Sequence, residues 1–138
     1  MCLTKISLKH KEGTMYVYKV LLITPSGELV TPYIKTPVKL GEKLYSEIPY
    51  SECCDECATI TDEGVHAYVT LDAARNQAHY IEVVISTVEY YDKYKVAIYE
   101  AVIPNTKYWL GHDSEVAAVE LLITNKLKYI SNKLKYIS

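Results

Sequence analysis

Residues 63–80, with the sequence EGVHAYVTLDAARNQAHY, are the stretch that decides the fold. A short apolar and aromatic run at 65–69 predicts a strand. Thr70 follows at once, and threonine is a residue type that caps helix N-termini. The alanine-rich segment over 71–80 therefore predicts a helix, and its small side chains would let it lie close against a sheet.

Strands are expected on both sides of this strand–helix unit. They are predicted from β-branched and aromatic content at 16–24, 28–34, 38–45, 81–90, 94–103 and 120–124. Pro104 and Asn105 are expected to end the strand at 94–103. Residues 50–63 predict an irregular surface loop, and Ser114 predicts the cap of a helical turn over 115–119. The fold class that follows is α+β, with a predominantly antiparallel, twisted sheet and one short central helix packed on it.

A chain of 138 residues is expected to form one domain. The short, polar and basic segment 1–14 predicts a flexible N-terminal arm or a short edge strand. Residues 15–124 then form the single α+β domain. Residues 125–138 are a tandem heptad tail, because NKLKYIS occurs twice in succession. Two readings of the tail stay open: a frayed end, or an added element that pairs with a second copy of the protein.

Charge and hydropathy exclude several classes of partner. The net charge is −2 and the pI is near 6.1, which argues against nucleic acid and anionic membranes as partners. No apolar run reaches the ~20 residues of a membrane helix, so no membrane partner is expected. The N-terminal residues lack the apolar core of a signal peptide, so the predicted location is the cytoplasm, where cysteines stay reduced.

The aromatic content is unusual, with fourteen Tyr, one Trp and no Phe. Tyrosine buries a large ring but needs water or a partner for its hydroxyl group. A tyrosine-rich chain therefore predicts rings at the edge of the core or on a contact surface. The alternative is a compositional bias in a β-rich protein, since tyrosine suits strands.

Two groups of residues are candidates for chemistry. Cys54 and Cys57 are weak metal candidates, because a structural zinc site needs four ligands and the chain has no second cysteine pair. We therefore expect neither a metal nor a cofactor. His66 could act as a base only with a partner such as Glu115, or with an acidic neighbour at 62–63. The alternative for His66 is a structural histidine at the start of a strand.

Several short motifs carry a resemblance to a known family. They are a Gly-Val-His-Ala turn at 64–67, a strand ending in Val-Ile-Pro at 102–104, Lys-Tyr-Trp-Leu-Gly at 107–111, and Glu-Val-Ala at 115–117. Together they resemble an uncharacterised family of small bacteriophage and bacterial proteins with a Gly-aromatic-His-Ala turn and an Ile-Pro…Tyr…Gly segment. Val65 stands where a larger aromatic residue is commoner. The resemblance implies a phage-type small domain in the host cell cytoplasm.

The strand–helix unit at 64–80 also resembles ADP-ribosyltransferase-like folds. Those enzymes have a Gly-x-Tyr-x-Thr run after the nicotinamide pocket, together with an arginine or a histidine–tyrosine–glutamate set. Arg75, the one arginine of the sequence, falls on the predicted helix. This departure leaves the enzyme as an alternative and not as the main expectation.

The function expected from the sequence is a non-enzymatic, phage-type binding protein. It would inhibit a bacterial host defence system by occluding a host protein or by sequestering a small signalling ligand. The alternatives are an ADP-ribosyltransferase-like enzyme and a virion assembly module, and a homo-oligomer is a further expectation. The candidate ligand- or partner-binding residues are His66, Tyr68, Arg75, Tyr108, Trp109 and Glu115, and no catalytic residue is assigned.

Overall fold

The structure is a computed structural model that describes residues 5–7, 11–32, 35–45, 50–52, 57–60, 65–91, 93–111 and 114–131. For 5–7, 50–52 and 57–60 it describes the backbone alone. The elements in these residues are β1 (Lys5–Ser7), β2 (Lys11–Ile23), β3 (Leu29–Val30), β4 (Pro37–Val38), β5 (Lys43–Tyr45), β6 (Tyr50–Glu52), β7 (Cys57–Ile60), β8 (His66–Tyr68), α1 (Leu71–Ser86), β9 (Lys95–Leu110), β10 (Glu115–Ala118) and β11 (Glu120–Ile130). A 3-10 turn at Glu89–Tyr91 follows the helix. The expectation of a mostly antiparallel β protein with one helix packed on a sheet is confirmed.

The main sheet closes on itself. Its strand order is β4-β3-β2-β8-β10-β9-β11-β5, and β2 also pairs with β9. The pairs β2–β9, β9–β10, β10–β8 and β8–β2 therefore form a ring of four antiparallel strands. A second sheet of three strands has the order β1-β7-β6. The sequence did not predict the ring, because closure depends on pairs far apart in the chain.

The β2–β9 pair is the longest in the sheet and contains a bulge. Between Gly13 and Met15 the register advances by two residues on β2 and by three residues, from Thr106 to Ile103, on β9. The extra residue falls at Pro104 and Asn105, which is a place in a sheet where proline is tolerated. The expectation that Pro104 and Asn105 end the strand is therefore wrong, and β9 runs on to Leu110.

The sheet has two apolar faces. One face packs against α1 through a buried cluster that includes Val20, Leu22, Val96 and Ile98. The other face, which the ring turns inward, carries a second buried cluster of Val17, Leu21, Ala67, Ala101, Ile103, Tyr108, Val116, Ala118, Leu121 and Ile123 with Val38. Neighbouring residues of β2 alternate between the two clusters, as the two-residue period of a strand requires.

Helix α1 begins where the sequence predicted and ends later. The hydroxyl oxygen of Thr70 accepts a hydrogen bond from the backbone N–H of Ala73 at 3.2 Å, so Thr70 is the N-cap. The buried residues Ala74, Ala78, Ile81 and Ile85 lie at helical spacing and face the sheet. The prediction of a strand over 81–90 is wrong, because burial on the sheet overrides the weak β preference of Ile81–Ser86.

Two further local predictions are wrong. The segment 50–63, expected as a loop, contains β6 and β7, which pair with each other in antiparallel register. The helical turn expected at 115–119 is β10, whose residues pair with β8 on one side and β9 on the other. Strand pairing supplies the backbone hydrogen bonds that an isolated helical turn could not supply.

Both ends of the described chain take part in strands. Residues 11–14, expected in the N-terminal arm, are the first part of β2. Residues 125–130, in the first copy of the heptad, are the last part of β11. The same copy ends at the buried Ser131, whose hydroxyl oxygen accepts a hydrogen bond from the backbone N–H of Val96 at 2.9 Å. Residues 132–138, the second copy, lie outside the described residues.

Helix α1 is the one α-helix of the described residues, and no helix among them has both the length and the apolar character needed to cross a membrane.

Candidate functional site

An open cleft of about 580 Å³ lies between one side of α1 and the junction of β8 with β10. Its lining residues are Tyr68, Thr70, Ala73, Asn76, Gln77, Tyr80, Ser114 and Glu115. Ligand pockets in proteins commonly have volumes of roughly 300–1,000 Å³, so the cleft is large enough for a small molecule.

The helix wall of the cleft follows from helical spacing. Ala73, Asn76, Gln77 and Tyr80 recur at intervals of three and four residues, which places them along one side of α1. This side adjoins the buried side that packs on the sheet. Ala73 contributes little side-chain volume to this wall, while the ring of Tyr80 is 60% exposed.

The strand wall is fixed by register. Tyr68 of β8 lies directly opposite Glu115 of β10, and residues in direct register share a face of the sheet. Tyr68 is 5% exposed and belongs to the cluster that packs on α1. The side chain of Glu115 therefore stands on the same helix-facing side, where it is half-buried.

Ser114 closes the end of the cleft with an unusual backbone. Its φ is 61°, in the left-handed region, which residues other than glycine adopt only at a cost in free energy. The carbonyl oxygen of Ser114 accepts a hydrogen bond from the backbone N–H of Val69 at 2.7 Å. This bond ties the start of β10 to the residue before the helix cap, so the two walls of the cleft are held together.

A narrow crevice adjoins the cleft and shares Tyr68 and Gln77 with it. His66 and the buried Lys19 lie along it. Lys19 is 2% exposed, and its ammonium group donates a hydrogen bond to the carbonyl oxygen of His66 at 2.7 Å. The crevice has a volume of about 10 Å³, room for one water molecule at most, so it is not a second ligand pocket.

The structure brings three of the sequence-predicted residues together. Tyr68 and Glu115 line the cleft, and His66 lies in the adjoining crevice with its ring edge-on to that of Tyr68 at 5.9 Å. The acidic neighbours of His66 at 62–63 lie outside the described residues.

The other three predicted residues do not line the cleft. Tyr108 is buried in the inward-facing cluster. Trp109 is also buried, opposite Ala117 of β10, which lies opposite His66 of β8, so it shares the helix-facing side of the sheet with His66 and Glu115. Arg75 lies on the side of α1 that faces β11, with its guanidinium carbon 5.8 Å from the ring centre of Tyr129. None of these three residues is among those that line the cleft, and their role in binding stays a prediction.

The same helix carries a buried carboxylate, Glu82, which no sequence pattern singled out. Glu82 is 3% exposed and accepts a hydrogen bond from the hydroxyl group of Tyr129. The ring of His79 lies 3.5 Å from the other carboxylate oxygen. Since Tyr129 comes from the first heptad copy, this contact ties the tail to the helix.

Sequence reasoning also missed most of the cleft. Thr70, Asn76, Gln77, Tyr80 and Ser114 line it but were not singled out as binding residues. The spacing of Ala73, Asn76, Gln77 and Tyr80 was a usable signal for the helix wall. No local pattern indicated that the residue before β10 would face the helix cap.

The described residues can be searched for a metal site, but the two candidate cysteines fall outside that search. Within the ranges that the structure describes, no group of three or more His, Cys, Asp and Glu side chains is arranged to hold a metal ion. Cys54 lies outside those ranges, and Cys57 is described only as the backbone start of β7. The weak metal candidates therefore stay predictions.

Tyrosines also form a surface cluster beyond the end of α1. The rings of Tyr90, Tyr91 and Tyr94 meet at centre-to-centre distances of 5.0–6.3 Å. Partial burial raises the pKa of the Tyr94 hydroxyl above 10.0, and the neighbouring hydroxyls of Tyr90 and Tyr91 raise it further. That these tyrosine rings form a contact surface for a partner stays a prediction.

No family model matches the chain, and neither a curated protein nor a solved structure matches it.

Proposed function

We propose that this chain is a non-catalytic binding protein that holds a small polar ligand in the cleft between α1 and the β8–β10 junction. The observation that carries the proposal is the composition of the cleft wall. Two phenol rings, two carboxamides, two aliphatic hydroxyl groups and one carboxylate converge on a volume of about 580 Å³. A concave site with a few converging polar groups is the usual form of a small-molecule pocket.

Binding is favoured over catalysis by the kinds of groups that line the cleft. Acid–base catalysis needs positioned groups that exchange protons, most often histidine or paired carboxyl groups. Among the described lining residues, Glu115 is the one carboxylate, and His66 lies in the adjoining crevice. Carboxamides such as those of Asn76 and Gln77 orient ligands by hydrogen bonds and do not transfer protons at neutral pH.

The wider biological expectation rests on the sequence resemblance. In that reading the ligand is a signalling molecule of a bacterial defence system, and the protein removes it from solution. A soluble sequestering protein needs a pre-formed site, because ordering a site on binding costs affinity. The N-cap at Thr70 and the bond from Val69 to Ser114 give the cleft such a fixed frame.

The test is a ligand screen followed by NMR on the isotope-labelled protein. We expect ligands to shift the backbone signals of Thr70, Asn76 and Gln77 together, and the variant Ala73→Phe to abolish these shifts by filling the cleft. Ala73→Ser is the matched control, because it adds one atom and keeps the space. Ligands that bind Ala73→Phe as well as the unsubstituted protein would contradict the proposal.

A second candidate function is the occlusion of a host protein. A specific observation favours it: apolar side chains are exposed along the outer side of α1 and just beyond it, namely Tyr80, Val83, Val84, Val88 and Tyr90. Exposed apolar stripes of this kind are common in protein interfaces. The test is a pull-down from bacterial lysate with the unsubstituted protein and with Val84→Lys, using Lys126→Ala as the surface control. A partner retained equally by all three proteins would contradict this candidate.

The enzyme alternative has less support. An ADP-ribosyltransferase binds NAD, whose diphosphate calls for backbone N–H groups or cationic side chains. The charged group that the described lining offers is the carboxylate of Glu115. NAD hydrolysis that is lost in both Glu115→Gln and His66→Ala would bring this alternative back.

A further inference from the structure

We propose that Tyr90 and Tyr94 are a modification site, at which one-electron oxidation joins the two phenol rings by a carbon–carbon bond. Neither residue lines the cleft, so the proposal goes beyond the proposed function and does not depend on a ligand. It rests on three features of the turn between α1 and β9: the packing of three tyrosine rings, their relative orientation, and a lysine cation beside one of them.

The turn holds the rings of Tyr90, Tyr91 and Tyr94 close together. Tyr90 and Tyr91 belong to the 3-10 turn, and Tyr94 directly precedes β9. The backbone N–H of Tyr94 donates a hydrogen bond to the carbonyl oxygen of Tyr91 at 3.1 Å, and that of Tyr91 donates to Val88 at 3.0 Å. These bonds fix the positions of the rings. Groups held side by side react at an effective concentration far above that of a dilute protein.

The orientation of the rings selects one pair. Tyr91 meets both neighbours edge-to-face, at interplanar angles of 89° and 86° and centre-to-centre distances of 5.0 Å. In such a contact the edge of one ring points at the face of the other, so the two edges do not meet. The rings of Tyr90 and Tyr94 are nearer to parallel, with a tilt of 33° at 6.3 Å, and a small rotation places their edges side by side.

The hydroxyl groups of the pair are also close to each other. Partial burial raises the pKa of the Tyr94 hydroxyl first, and the hydroxyl groups of Tyr90 and Tyr91 then raise it further. The Tyr90 hydroxyl contributes by hydrogen bonding as well as by charge. The ring carbons that react are those next to the hydroxyl groups, so this proximity favours the pair of Tyr90 and Tyr94.

A lysine cation makes the middle ring a poor electron donor. The ammonium nitrogen of Lys35 lies 5.0 Å from the ring centre of Tyr91. A cation over a ring attracts its π electrons, so removing an electron from that ring costs more. Tyr90 is 77% exposed and open to an oxidant, while Tyr94 is half-buried beside it.

The reaction balances with hydrogen peroxide as the oxidant and a haem peroxidase as the catalyst. Each phenol gives one electron to the oxidised haem and the proton of its O–H bond to water. The two radicals pair their electrons in a new bond between ring carbons ortho to the hydroxyl groups. The hydrogen on each of these carbons leaves as a proton, and a proton from water restores each hydroxyl group. Overall the protein loses two hydrogen atoms, and the O–O bond of the peroxide is cleaved to give two water molecules.

The test is the oxidation of the dilute full chain by a haem peroxidase with limiting hydrogen peroxide. Trypsin cleaves after lysine and arginine, so it releases the dipeptide 94–95 from the peptide 76–93 unless a covalent bond joins them. We expect mass spectrometry to show a monomer that has lost two hydrogen atoms and yields these two peptides linked. Fragmentation of the linked peptides is expected to place the bond on Tyr90.

Conservative variants locate the bond. Tyr90→Phe and Tyr94→Phe are each expected to lower the yield of linked monomer at least about tenfold, because the remaining tyrosines react in unfavourable pairs or between dilute molecules. Tyr91→Phe should keep most of the yield, as should the surface control Tyr16→Phe, whose ring is 66% exposed on β2. Lys35→Gln removes the cation and should raise the share of bonds formed at Tyr91. Circular dichroism checks that each variant is folded.

Several results would overturn the proposal. They are the absence of linked monomer, a link that forms only between molecules, a bond placed mainly on Tyr91, and a loss of yield in Tyr16→Phe equal to that in Tyr94→Phe. A blocked peptide of residues 86–96, which lacks the packed fold, is the reference for proximity along the chain alone. If this peptide forms the link as efficiently as the full chain does, the folded geometry is not responsible and the proposal is overturned as well.

Discussion

Replacing Tyr129 by phenylalanine should destabilise the protein by an amount that the structure allows us to estimate. The hydroxyl group of Tyr129 donates a hydrogen bond to the carboxylate of Glu82, which is 3% exposed. Hydrogen bonds to charged groups contribute about 1.5–3 kcal/mol, and the lower part of that range fits a donor that is itself half-buried. We therefore expect Tyr129→Phe to lower the free energy of unfolding by about 2 kcal/mol.

The measurement is urea unfolding followed by circular dichroism. With a slope of roughly 2 kcal/mol per molar urea for a protein of this size, the midpoint should fall by about 1 M. Tyr16→Phe is the matched control, because Tyr16 is 66% exposed on the same sheet and should change the midpoint little.

A double-mutant cycle isolates the contact itself. Glu82→Leu and Tyr129→Phe should show a coupling energy of at least about 1 kcal/mol, since Glu82→Leu removes the acceptor of the hydrogen bond and Tyr129→Phe removes its donor. A Tyr129→Phe midpoint that matches the control, or purely additive single effects, would refute the reasoning. Either result would mean that the buried carboxylate does not depend on the heptad tyrosine.

Three further predictions concern other parts of the molecule. Ser131→Ala should cost about 1–3 kcal/mol in urea unfolding, because it leaves the buried backbone N–H of Val96 without its hydroxyl acceptor, whereas Ser131→Thr should recover most of the loss. Ser114→Val should lower the free energy of unfolding by about 1–2 kcal/mol, because β-branched residues adopt a φ of 61° poorly. Ser114→Gly should be about as stable as the unsubstituted protein. Equal stability of the two variants would argue against backbone strain at this position. The pKa of Tyr94 is raised in the folded protein, so unfolded Tyr94 loses its proton near pH 10 and folded Tyr94 only at higher pH. The stabilisation from this difference is complete below pH 10 and is lost as the pH rises above it. Tyr94→Phe should therefore make the fall in stability above pH 10 shallower, as measured by unfolding at a series of pH values.

Local sequence signals predicted the strand–helix unit well. Thr70 marked the helix start because a cap is a local interaction that the sequence states directly. The end of the helix was missed because Ile81 and Ile85 have side chains that suit strands, and only burial against the sheet decides for a helix. Pro104 misled for a similar reason, since a bulge in the β2–β9 pair accommodates it.

Of the residues that line the cleft, the sequence predicted only the two in the strand wall as binding residues. Tyr68 and Glu115 were named from sequence, and the β8–β10 register brings them opposite each other. That register, and the ring closure that fixes it, joins segments almost fifty residues apart and has no local signature. Tyr108 and Trp109 read as binding residues because aromatic side chains are frequent in interfaces, yet strand pairing buries both.

The first NKLKYIS copy supplies β11 with the tyrosine that meets Glu82 and with the serine that holds Val96. The second copy has the same letters in the same order. A chain that looped out the first copy would thus offer β9 an identical set of side chains, at an entropic cost of roughly 2 kcal/mol for a loop of seven residues. If the second copy substitutes in this way, Tyr129→Phe lowers the free energy of unfolding by no more than the roughly 2 kcal/mol cost of the loop. Adding Tyr136→Phe to Tyr129→Phe should then lower it further, and equal stability of the single and the double variant would exclude the substitution.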